Sequence, residues 1–311
     1  MQTVAVVLEA PEKIGVRSLA LNAVREDDVV IEVSFSGIST GTERLLWSGR
    51  MPPFPGMGYP LVPGYESVGR VVDGGLNAVH RIGETVFIPG ATCYKDARGL
   101  FGGAARKLIA PSARAIAIPD QLGSQGVLLA LAATAYHAIA GGAPPELIVG
   151  HGVLGRLLAR VTMAMGAPAP TVWEINAQRR AGAVGYTVID PAEDTRTNYA
   201  TICDASGAGA LLDTFVKRLA KGGEIVLAGF YEDRLSFDFV PTFMREARLR
   251  VAAEFKPEDL QATEALLRFG RLSLDGLITH EQIPENAGDA YATAFTDSAC
   301  LKMVLDWRQC A

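Results

Sequence analysis

The chain has 311 residues, of which 49% are hydrophobic and 20% charged, and its formal net charge is −5. This length allows two domains with substantial cores, and the mildly acidic balance argues against nucleic acid as a partner. The first residues resemble a strand that ends at Glu9, so no signal peptide is expected. The longest apolar stretch, 127–140, is too short to span a bilayer, so no transmembrane segment is expected. Four cysteines without C-x-x-C spacing indicate neither a disulfide framework nor a cysteine-rich zinc site, which favours a reducing cytoplasm.

The first 120 residues predict a β-rich, barrel-like domain. Short segments rich in β-branched residues alternate there with turn residues, and no helix-period segment of any length occurs. The predicted strands are 4–8, 29–34, 66–72, 85–88 and 104–110.

One loop of this domain, residues 47–64, contains five prolines and four glycines, which exclude regular structure. It nevertheless supplies large apolar and aromatic side chains, which could cover a flat hydrophobic ligand. The alternative is that the loop packs on its own domain. Its candidate substrate-binding residues are Trp47, Arg50, Met51, Phe54, Met57 and Tyr59.

From residue 123 to 271 strand and helix signals alternate, which predicts a doubly wound parallel sheet. The last 40 residues return to short segments and are expected to complete the first domain, which then comprises 1–122 and 272–311. The predicted helices of the second domain are 125–141, the helix after residue 152, 177–184, 211–220 and 257–269. Its predicted strands are 147–149, 171–175, 187–189, 201–205, 224–228 and 249–253.

The strongest motif of this domain is Gly150, Gly152 and Gly155, which follow the apolar run 147–149 at G-x-G-x-x-G spacing. In a dinucleotide site these glycines make the tight turn, admit the pyrophosphate to the backbone and let helix and strand pack closely. Glu174 ends the next strand, where an acidic residue holds the ribose hydroxyls and repels a 2′-phosphate, so NAD is the expected cofactor. A glycine-rich turn without a ligand is the alternative. The candidate cofactor-binding residues here are Gly150, His151, Gly152, Val153, Leu154, Gly155 and Glu174, with the His151 side chain expected to be incidental.

Six segments carry a resemblance to the medium-chain dehydrogenase/reductase superfamily, and the resemblance extends over the whole chain. It implies an α/β protein in which a GroES-like β-barrel catalytic domain is joined to a Rossmann doubly wound parallel sheet. It also implies that Asp204, Ala205 and Ser206 lie beside the nicotinamide ribose. The six segments are 37–43, 63–69, 134–138, 150–155, 174–176 and 204–207.

The chain departs from the zinc-dependent members of that superfamily at each catalytic ligand. Where those members have Cys, His and usually Cys, this sequence has Thr40, Tyr65 and Ala130. The lobe that binds a structural zinc through four cysteines is also missing, because Cys93 stands alone. A tetrahedral zinc site needs thiolate, imidazole or carboxylate ligands. No metal is therefore predicted.

Without zinc, other groups must handle the proton and the charge of the alcohol oxygen. Thr42 matches the hydroxyl position of the superfamily, and Tyr65 could act as acid or base if its pKa of about 10 were lowered. Glu66 and Glu43 are either structural carboxylates or part of the chemistry. His137 is either a packed core residue or a catalytic one. The candidate catalytic residues are Thr42, Tyr65, Glu66, Ser39 and His137.

Within the superfamily, segments 37–49 and 63–69 resemble a zinc-lacking family that oxidises the 3-(1-hydroxyethyl) group of a (bacterio)chlorophyllide to 3-acetyl with NAD, in bacteriochlorophyll biosynthesis. The resemblance implies a tetrapyrrole substrate. One alternative is a zinc-free quinone or enone oxidoreductase, which usually prefers NADPH; Glu174 argues against it, whereas Arg179 and Arg180 could reverse the preference. The other alternative is a non-catalytic dinucleotide-binding protein.

Overall fold

The computed structural model describes residues 1–53 and 55–310, which form two compact units. The first unit comprises Met1–Ala130 and the C-terminal segment from Asp275 onward, and the second comprises Leu131–Leu274. The boundaries expected from the sequence, after residues 122 and 271, lie slightly earlier in the chain.

The secondary structure alternates between the two units in the way that the sequence patterns suggest. The strands are β1 (Gln2–Ala10), β2 (Lys13–Ala20), β3 (Asp28–Ile38), β4 (Ser67–Gly74), β5 (Thr85–Ile88), β6 (Lys107–Pro111), β7 (Ile116–Ala117), β8 (Leu147–Val149), β9 (Thr171–Trp173), β10 (Thr187–Ile189), β11 (Tyr199–Asp204), β12 (Leu219–Leu227), β13 (Arg248–Val251), β14 (His280–Gln282) and β15 (Met303–Asp306). The α-helices are α1 (Thr42–Ser48), α2 (Leu129–Ala140), α3 (Val153–Ala164), α4 (Leu212–Arg218), α5 (Phe239–Arg245), α6 (Pro257–Arg268) and α7 (Ala287–Thr296).

The first unit is organised around β3, the longest strand, because its side chains are buried on both faces. Its sheet has the order β14-β15-β3-β4-β5-β7, with β6 also paired to β3, and all pairs except β14–β15 are antiparallel. Strands β1 and β2 form a separate hairpin. The pairing of β15 with β3 returns the C-terminal segment to this unit.

Several elements of the first unit were not predicted from the sequence, among them α1, β2, β7 and α7. Helix α1 contradicts the expectation that no helix precedes residue 120; with seven residues it is too short to show a helical period, although it buries Leu45 and Leu46. Strand β2 has only one fully buried residue among eight, and its sequence lacks a clear alternation of apolar residues. Helix α7 packs in the C-terminal segment, where only short apolar runs were noted.

The second unit is a six-stranded parallel sheet with the order β10-β9-β8-β11-β12-β13. This is the order 3-2-1-4-5-6 of dinucleotide-binding folds, counted from β8, and its direction reverses between β8 and β11. The three residues of β8 are fully buried, as expected for a central parallel strand. Ligands of such sheets bind at the carboxyl ends of the strands beside this reversal point.

Two predicted helices of the second unit need correction. The helix expected at 177–184 is absent, since the chain there forms turns in which Gly182 and Gly185 have positive φ values of 79° and 81°. The helix expected at 211–220 ends at Arg218, because Leu219 already begins β12.

One helical stretch of the described residues, Asp120–Ala140, is long and apolar enough to cross a membrane by length and composition alone. Of its most apolar window, 56% is buried inside the protein, as in the core helix of a globular domain.

Candidate active site

The glycine turn, residues 150–155, connects β8 to α3. It is open at Gly152 and closely packed at Gly155. Gly150 has a φ of 96°, which favours glycine. A Cβ atom at Gly155 would lie 1.8 Å from the carbonyl oxygen of Gly150, so the third glycine is required for the close approach of helix and turn. A Cβ atom at Gly152 would meet nothing within 4 Å. The turn therefore fits a pyrophosphate that approaches the backbone at Gly152 and the N-terminus of α3.

Glu174 lies against this turn, just beyond the carboxyl end of β9. Its side-chain Oε2 accepts a hydrogen bond of 3.0 Å from the backbone N–H of His151, and its Oε1 accepts one of 2.8 Å from that of Asn176. The residue is 9% exposed. Two backbone donors thus hold the carboxylate beside the turn, at the place where ribose hydroxyls bind in such folds.

The His151 side chain, which the sequence predicts to be incidental to cofactor binding, is engaged by other parts of the protein. It is fully buried, and its ring bonds to the carbonyl oxygen of Arg179 (2.6 Å) and to the hydroxyl of Tyr186 (2.8 Å). Burial lowers the pKa of His151 from 6.5 to about 4, so the ring is neutral at neutral pH. The side chain therefore ties the turn to the segment after β9.

The loop after β11 lies at the same edge of the sheet as the glycine turn. Ala205 donates its N–H to the carbonyl oxygen of Val149 (2.9 Å), and the backbone nitrogen of Ser206 lies 3.3 Å from where a Cβ of Gly150 would be. The buried Asp204 carboxylate accepts from the Ser206 backbone and hydroxyl (2.9 and 2.6 Å) and from the Tyr231 hydroxyl (2.5 Å). Asp204 thus braces the loop, and Ala205 and Ser206 form its surface.

In the first unit, three predicted catalytic residues come together. The hydroxyl oxygens of Tyr65 and Ser39 are 2.6 Å apart, and the Thr42 side chain lies close enough to the Tyr65 phenol to lower its pKa slightly. The ring of Phe101 packs edge-on against that of Tyr65, with 5.1 Å between centroids. Burial and then the charge of Glu66 raise the pKa of Tyr65, the opposite of the lowering that base catalysis by Tyr65 alone would need. Its phenol therefore stays protonated at neutral pH and can donate a hydrogen bond.

Two fully buried carboxyl groups, those of Glu43 and Glu66, lie beside these hydroxyls. Glu66 forms a 2.6 Å ion pair with Lys302, and both side chains are buried. Glu43 accepts hydrogen bonds from the Tyr291 hydroxyl (2.7 Å) and from the Ser39 backbone (3.1 Å). Burial, with a contribution from the charge of Glu66, raises the pKa of Glu43 to about 7. We call these residues the hydroxyl–carboxylate cluster: Ser39, Thr42, Glu43, Tyr65, Glu66, Tyr291 and Lys302.

Sequence reasoning missed Lys302 and Tyr291, which lie more than 200 residues after their partners. One signal was available for Lys302, because a lysine beside the apolar run of β15 is rarely buried unless it is paired. Its Nζ also donates to the carbonyl oxygen of Ile38 (3.2 Å). Lys302 therefore supplies the positive charge of the cluster.

His137 belongs to the second unit and is engaged by another helix. Its Nδ1 lies 2.8 Å from Oδ2 of Asp259, which also accepts the Lys256 N–H in the N-terminal cap of α6. The ring thus joins α2 to α6, which agrees with the packing alternative.

The proline-rich loop is divided between packing and exposure. Met51 is only 9% exposed and belongs to an apolar cluster, whereas Trp47, Met57 and Tyr59 pack against that cluster but remain partly exposed. Tyr59 donates its hydroxyl to the carbonyl oxygen of Leu46, and the exposed Arg50 donates its Nε to Ser48 (3.2 Å). Phe54 lies outside the described residues. The apolar cluster comprises Leu8, Leu45, Leu46, Met51, Leu61 and Leu100.

The three positions that would bind a catalytic zinc do not fit that metal. Thr40 is exposed, Tyr65 is engaged with Ser39, and Ala130 is a buried alanine without a ligand atom. Within residues 1–53 and 55–310, no group of three His, Cys, Asp or Glu side chains is arranged to hold a metal ion.

Comparison with known proteins places these observations in one family. Residues 25–120 match the alcohol dehydrogenase GroES-like domain. The chain is 56% identical to the 2-desacetyl-2-hydroxyethyl bacteriochlorophyllide A dehydrogenase of Cereibacter sphaeroides, with 100% of both chains covered, and 55% identical to that of Rhodobacter capsulatus, with 99% of both covered.

Solved structures show the same fold at low sequence identity. A short chain alcohol dehydrogenase from Escherichia coli CFT073, complexed with NADH, has a TM-score of 0.85 and 19% identity, covering 98% of this chain and 99% of that one. Acetophenone reductase from Geotrichum candidum, in complex with NAD, has a TM-score of 0.84 and 18% identity, covering 98% and 97%. The predicted α/β fold is confirmed, and the chain belongs to the medium-chain dehydrogenase/reductase superfamily, in the family of the 2-desacetyl-2-hydroxyethyl bacteriochlorophyllide A dehydrogenases.

Proposed function

We propose that the protein is an NAD-dependent dehydrogenase that oxidises the 3-(1-hydroxyethyl) group of a (bacterio)chlorophyllide to 3-acetyl. The observation that carries this proposal is the 56% identity to a curated dehydrogenase of that name over the full length of both chains. The carbinol carbon loses a hydride and its hydroxyl loses a proton, so that the products are the ketone, NADH and a proton. The ketone is conjugated with the macrocycle, which makes this alcohol easier to oxidise than an isolated one.

NAD would be held by the glycine turn and by Glu174, whose geometry fits the pyrophosphate and the adenosine ribose. When bound, it supplies the hydride acceptor. Asp204 would hold the adjoining loop in place, with Ala205 and Ser206 facing the cofactor.

On the substrate side, the hydroxyl–carboxylate cluster handles the proton. Tyr65 remains protonated and donates a hydrogen bond to the carbinol oxygen as negative charge develops there, which stabilises the transition state in place of a metal. Ser39 holds the phenol in position. The partly exposed Thr42 hydroxyl accepts the proton of the carbinol hydroxyl and gives its own proton to solvent. No zinc takes part in this scheme, because the residues at the zinc positions cannot bind it.

The tetrapyrrole would lie on the exposed parts of Trp47, Met57 and Tyr59. A flat aromatic macrocycle gains affinity from such a surface mainly through burial of apolar area. We propose that the reaction takes place in the cytoplasm, a reducing compartment that suits four buried cysteines, none of which forms a disulfide within the described residues.

The direct test is turnover of hydroxyethyl-chlorophyllide by the purified protein with NAD or NADP. We expect a shift of the pigment's red absorption band together with NADH formation, and the same rate after treatment with a metal chelator. Quinone reduction with NADPH, without pigment turnover, would instead support the oxidoreductase alternative. Absence of turnover with both cofactors would contradict the enzymatic proposal.

Replacing Tyr65 by Phe tests the metal-free mechanism. Loss of one preorganised donor to a developing oxyanion typically lowers kcat about 10²–10³-fold. The control is Tyr94→Phe, which removes another phenol of the first unit, one bonded to the carbonyl oxygen of Gly102. Steady-state kinetics should show a large fall in kcat for the first variant alone. Equal kcat values would remove Tyr65 from the mechanism.

A further inference from the structure

The segment that follows Glu174, residues 176–186, has no helix, and the side chain of Arg156 holds it in place. Arg156 lies on α3 directly after the glycine turn and is 5% exposed. Its Nη1 donates to the carbonyl oxygen of Gly182 (3.1 Å), and its Nη2 donates to those of Arg179 (3.0 Å) and Ala181 (2.8 Å). One guanidinium thus satisfies three carbonyl groups of a segment that has no helical hydrogen bonds of its own.

The same guanidinium also holds the glycine turn. Its Nε donates to the carbonyl oxygen of His151 (3.1 Å), so four of the five N–H bonds of Arg156 are used on backbone carbonyls. Gly182 permits this packing, because a Cβ atom there would lie 2.8 Å from Nη1 of Arg156. Arg156 therefore fixes the turn and the segment in relation to each other.

His151 adds a second connection between these two parts of the chain. A carbonyl oxygen can only accept, so the bond to Arg179 requires the proton of the neutral ring to be on Nδ1. Nε2 then accepts the hydroxyl proton of Tyr186. The tautomer is thus determined by the two partners, and protonation of the ring would remove the acceptor that Tyr186 uses.

These connections meet at Glu174. Both backbone N–H groups that bind its carboxylate, those of His151 and Asn176, belong to the parts that Arg156 and His151 join. We propose that Arg156 and His151 are positioning residues of the dinucleotide site, which hold the Glu174 carboxylate at the glycine turn. They thereby set the affinity for the adenosine half of the cofactor, while neither needs to touch the reacting atoms. This inference rests on the NAD site proposed above.

Arg156→Met tests the inference through binding of ADP-ribose, which carries the adenosine half of NAD and cannot react. A lost hydrogen bond from a charged group corresponds to roughly a tenfold to hundredfold change, so we expect the Kd measured by titration calorimetry to rise at least about tenfold. The kcat at saturating NAD should stay within about twofold of the wild type. The matched control is Arg160→Met, one turn later on α3, whose guanidinium bonds to the carbonyl oxygen of Ser273 (2.9 Å); its Kd should change less than about twofold.

Arg156→Lys separates positioning from simple charge attraction. Lysine keeps the positive charge but lacks the planar fork that bonds several carbonyls at once. Positioning predicts a Kd close to that of Arg156→Met, whereas long-range attraction of the cofactor phosphates predicts a Kd close to that of the wild type, which would overturn the proposal.

A protease provides a readout that does not depend on binding or activity. Trypsin cleaves after arginine, and Arg179 and Arg180 lie within the segment. Cleavage there should be at least about tenfold faster in His151→Leu than in the wild type, because opening of the segment requires less free energy. ADP-ribose should slow it in the wild type.

His151→Leu also serves if Arg156→Met fails to fold, since it leaves the guanidinium in place. If the folded variants bind ADP-ribose as the wild type does, the positioning role is wrong although the NAD site stands. If the wild type itself does not bind ADP-ribose, the proposed cofactor site is wrong.

Discussion

The glycine turn of the second unit and the hydroxyl–carboxylate cluster of the first unit are built in opposite ways. The turn lies within one strand–helix–strand stretch, and it would bind its ligand mainly through backbone groups. The cluster joins residues 39–66 to Tyr291 and Lys302, and its side chains include two buried carboxyl groups and one buried ammonium group. The turn depends on the absence of side-chain atoms, whereas the cluster depends on the balance of buried charges.

This difference predicts which substitutions each region tolerates. A methyl group matters in the turn because the backbone has no room to move, and a charge matters in the cluster because the interior solvates it poorly. Four tests address this contrast, and they are described from the largest expected effect to the smallest.

Lys302→Met should have the largest effect, on stability. It leaves the Glu66 carboxylate buried without a counter-ion, and breaking a buried pair in this way typically costs about 3–5 kcal/mol. Urea unfolding followed by tryptophan fluorescence, to which the buried Trp307 of the same unit contributes, measures it. The double variant Glu66→Gln with Lys302→Met removes both charges and should recover at least half of the loss. Equal instability of the single and double variants would show that packing, not charge, is the cause.

Glu43→Gln should change the pH dependence of stability. The pKa of Glu43 is raised from 4.5 to about 7 in the folded protein, so its contribution is fully present below about pH 4.5 and is lost as the pH rises through 7. Between pH 5 and 8 the wild type should therefore lose about 2–3 kcal/mol more than the variant. Urea unfolding at four pH values checks this, with the exposed Glu9→Gln as control. Parallel profiles of wild type and Glu43→Gln would contradict it.

The same contrast explains what sequence reasoning could predict. The glycine turn and Glu174 were found because their spacing along one stretch of chain reflects their contacts directly. The hydroxyls of Ser39 and Tyr65 were found through the family resemblance. Tyr291 and Lys302 were missed because their contacts join positions far apart in the sequence, which no local pattern records.

The wrong prediction of a helix at 177–184 has a related cause. Its residues have adequate helix propensity, but Gly182 and Gly185 adopt positive φ, and Arg156 supplies hydrogen bonds from outside the segment. A partner more than 20 residues earlier thus decided the local structure. Helix α1 was missed for the simpler reason that seven residues are too few for a periodic signal.

Gly155→Ala and Gly152→Ala separate fold from binding within the turn. The Cβ atom of the first would lie 1.8 Å from the backbone of Gly150, so we expect a loss of about 1–3 kcal/mol in stability. The Cβ atom of the second meets open space, so stability should change by less than about 0.5 kcal/mol. It would, however, occupy the space that the pyrophosphate approaches, and the Kd for ADP-ribose should rise about tenfold. If Gly152→Ala binds ADP-ribose normally, the pyrophosphate does not approach the turn at that glycine.

Glu174→Ser tests the side chain that the turn would present to the adenosine ribose. Without the carboxylate, the ribose loses an acceptor and a 2′-phosphate is no longer repelled, so the ratio of kcat/KM for NAD to that for NADP should fall roughly tenfold. Arg180 would not complete the change to NADP, since Asp190 (2.8 Å) and the Glu174 carbonyl oxygen (3.1 Å) hold its guanidinium. Adding Asp190→Asn should weaken the attachment of the Arg180 guanidinium to residue 190, and it should lower the ratio of kcat/KM for NAD to that for NADP further. A ratio unchanged by both substitutions would mean that the adenosine ribose binds elsewhere, and that the turn needs no side chain for specificity.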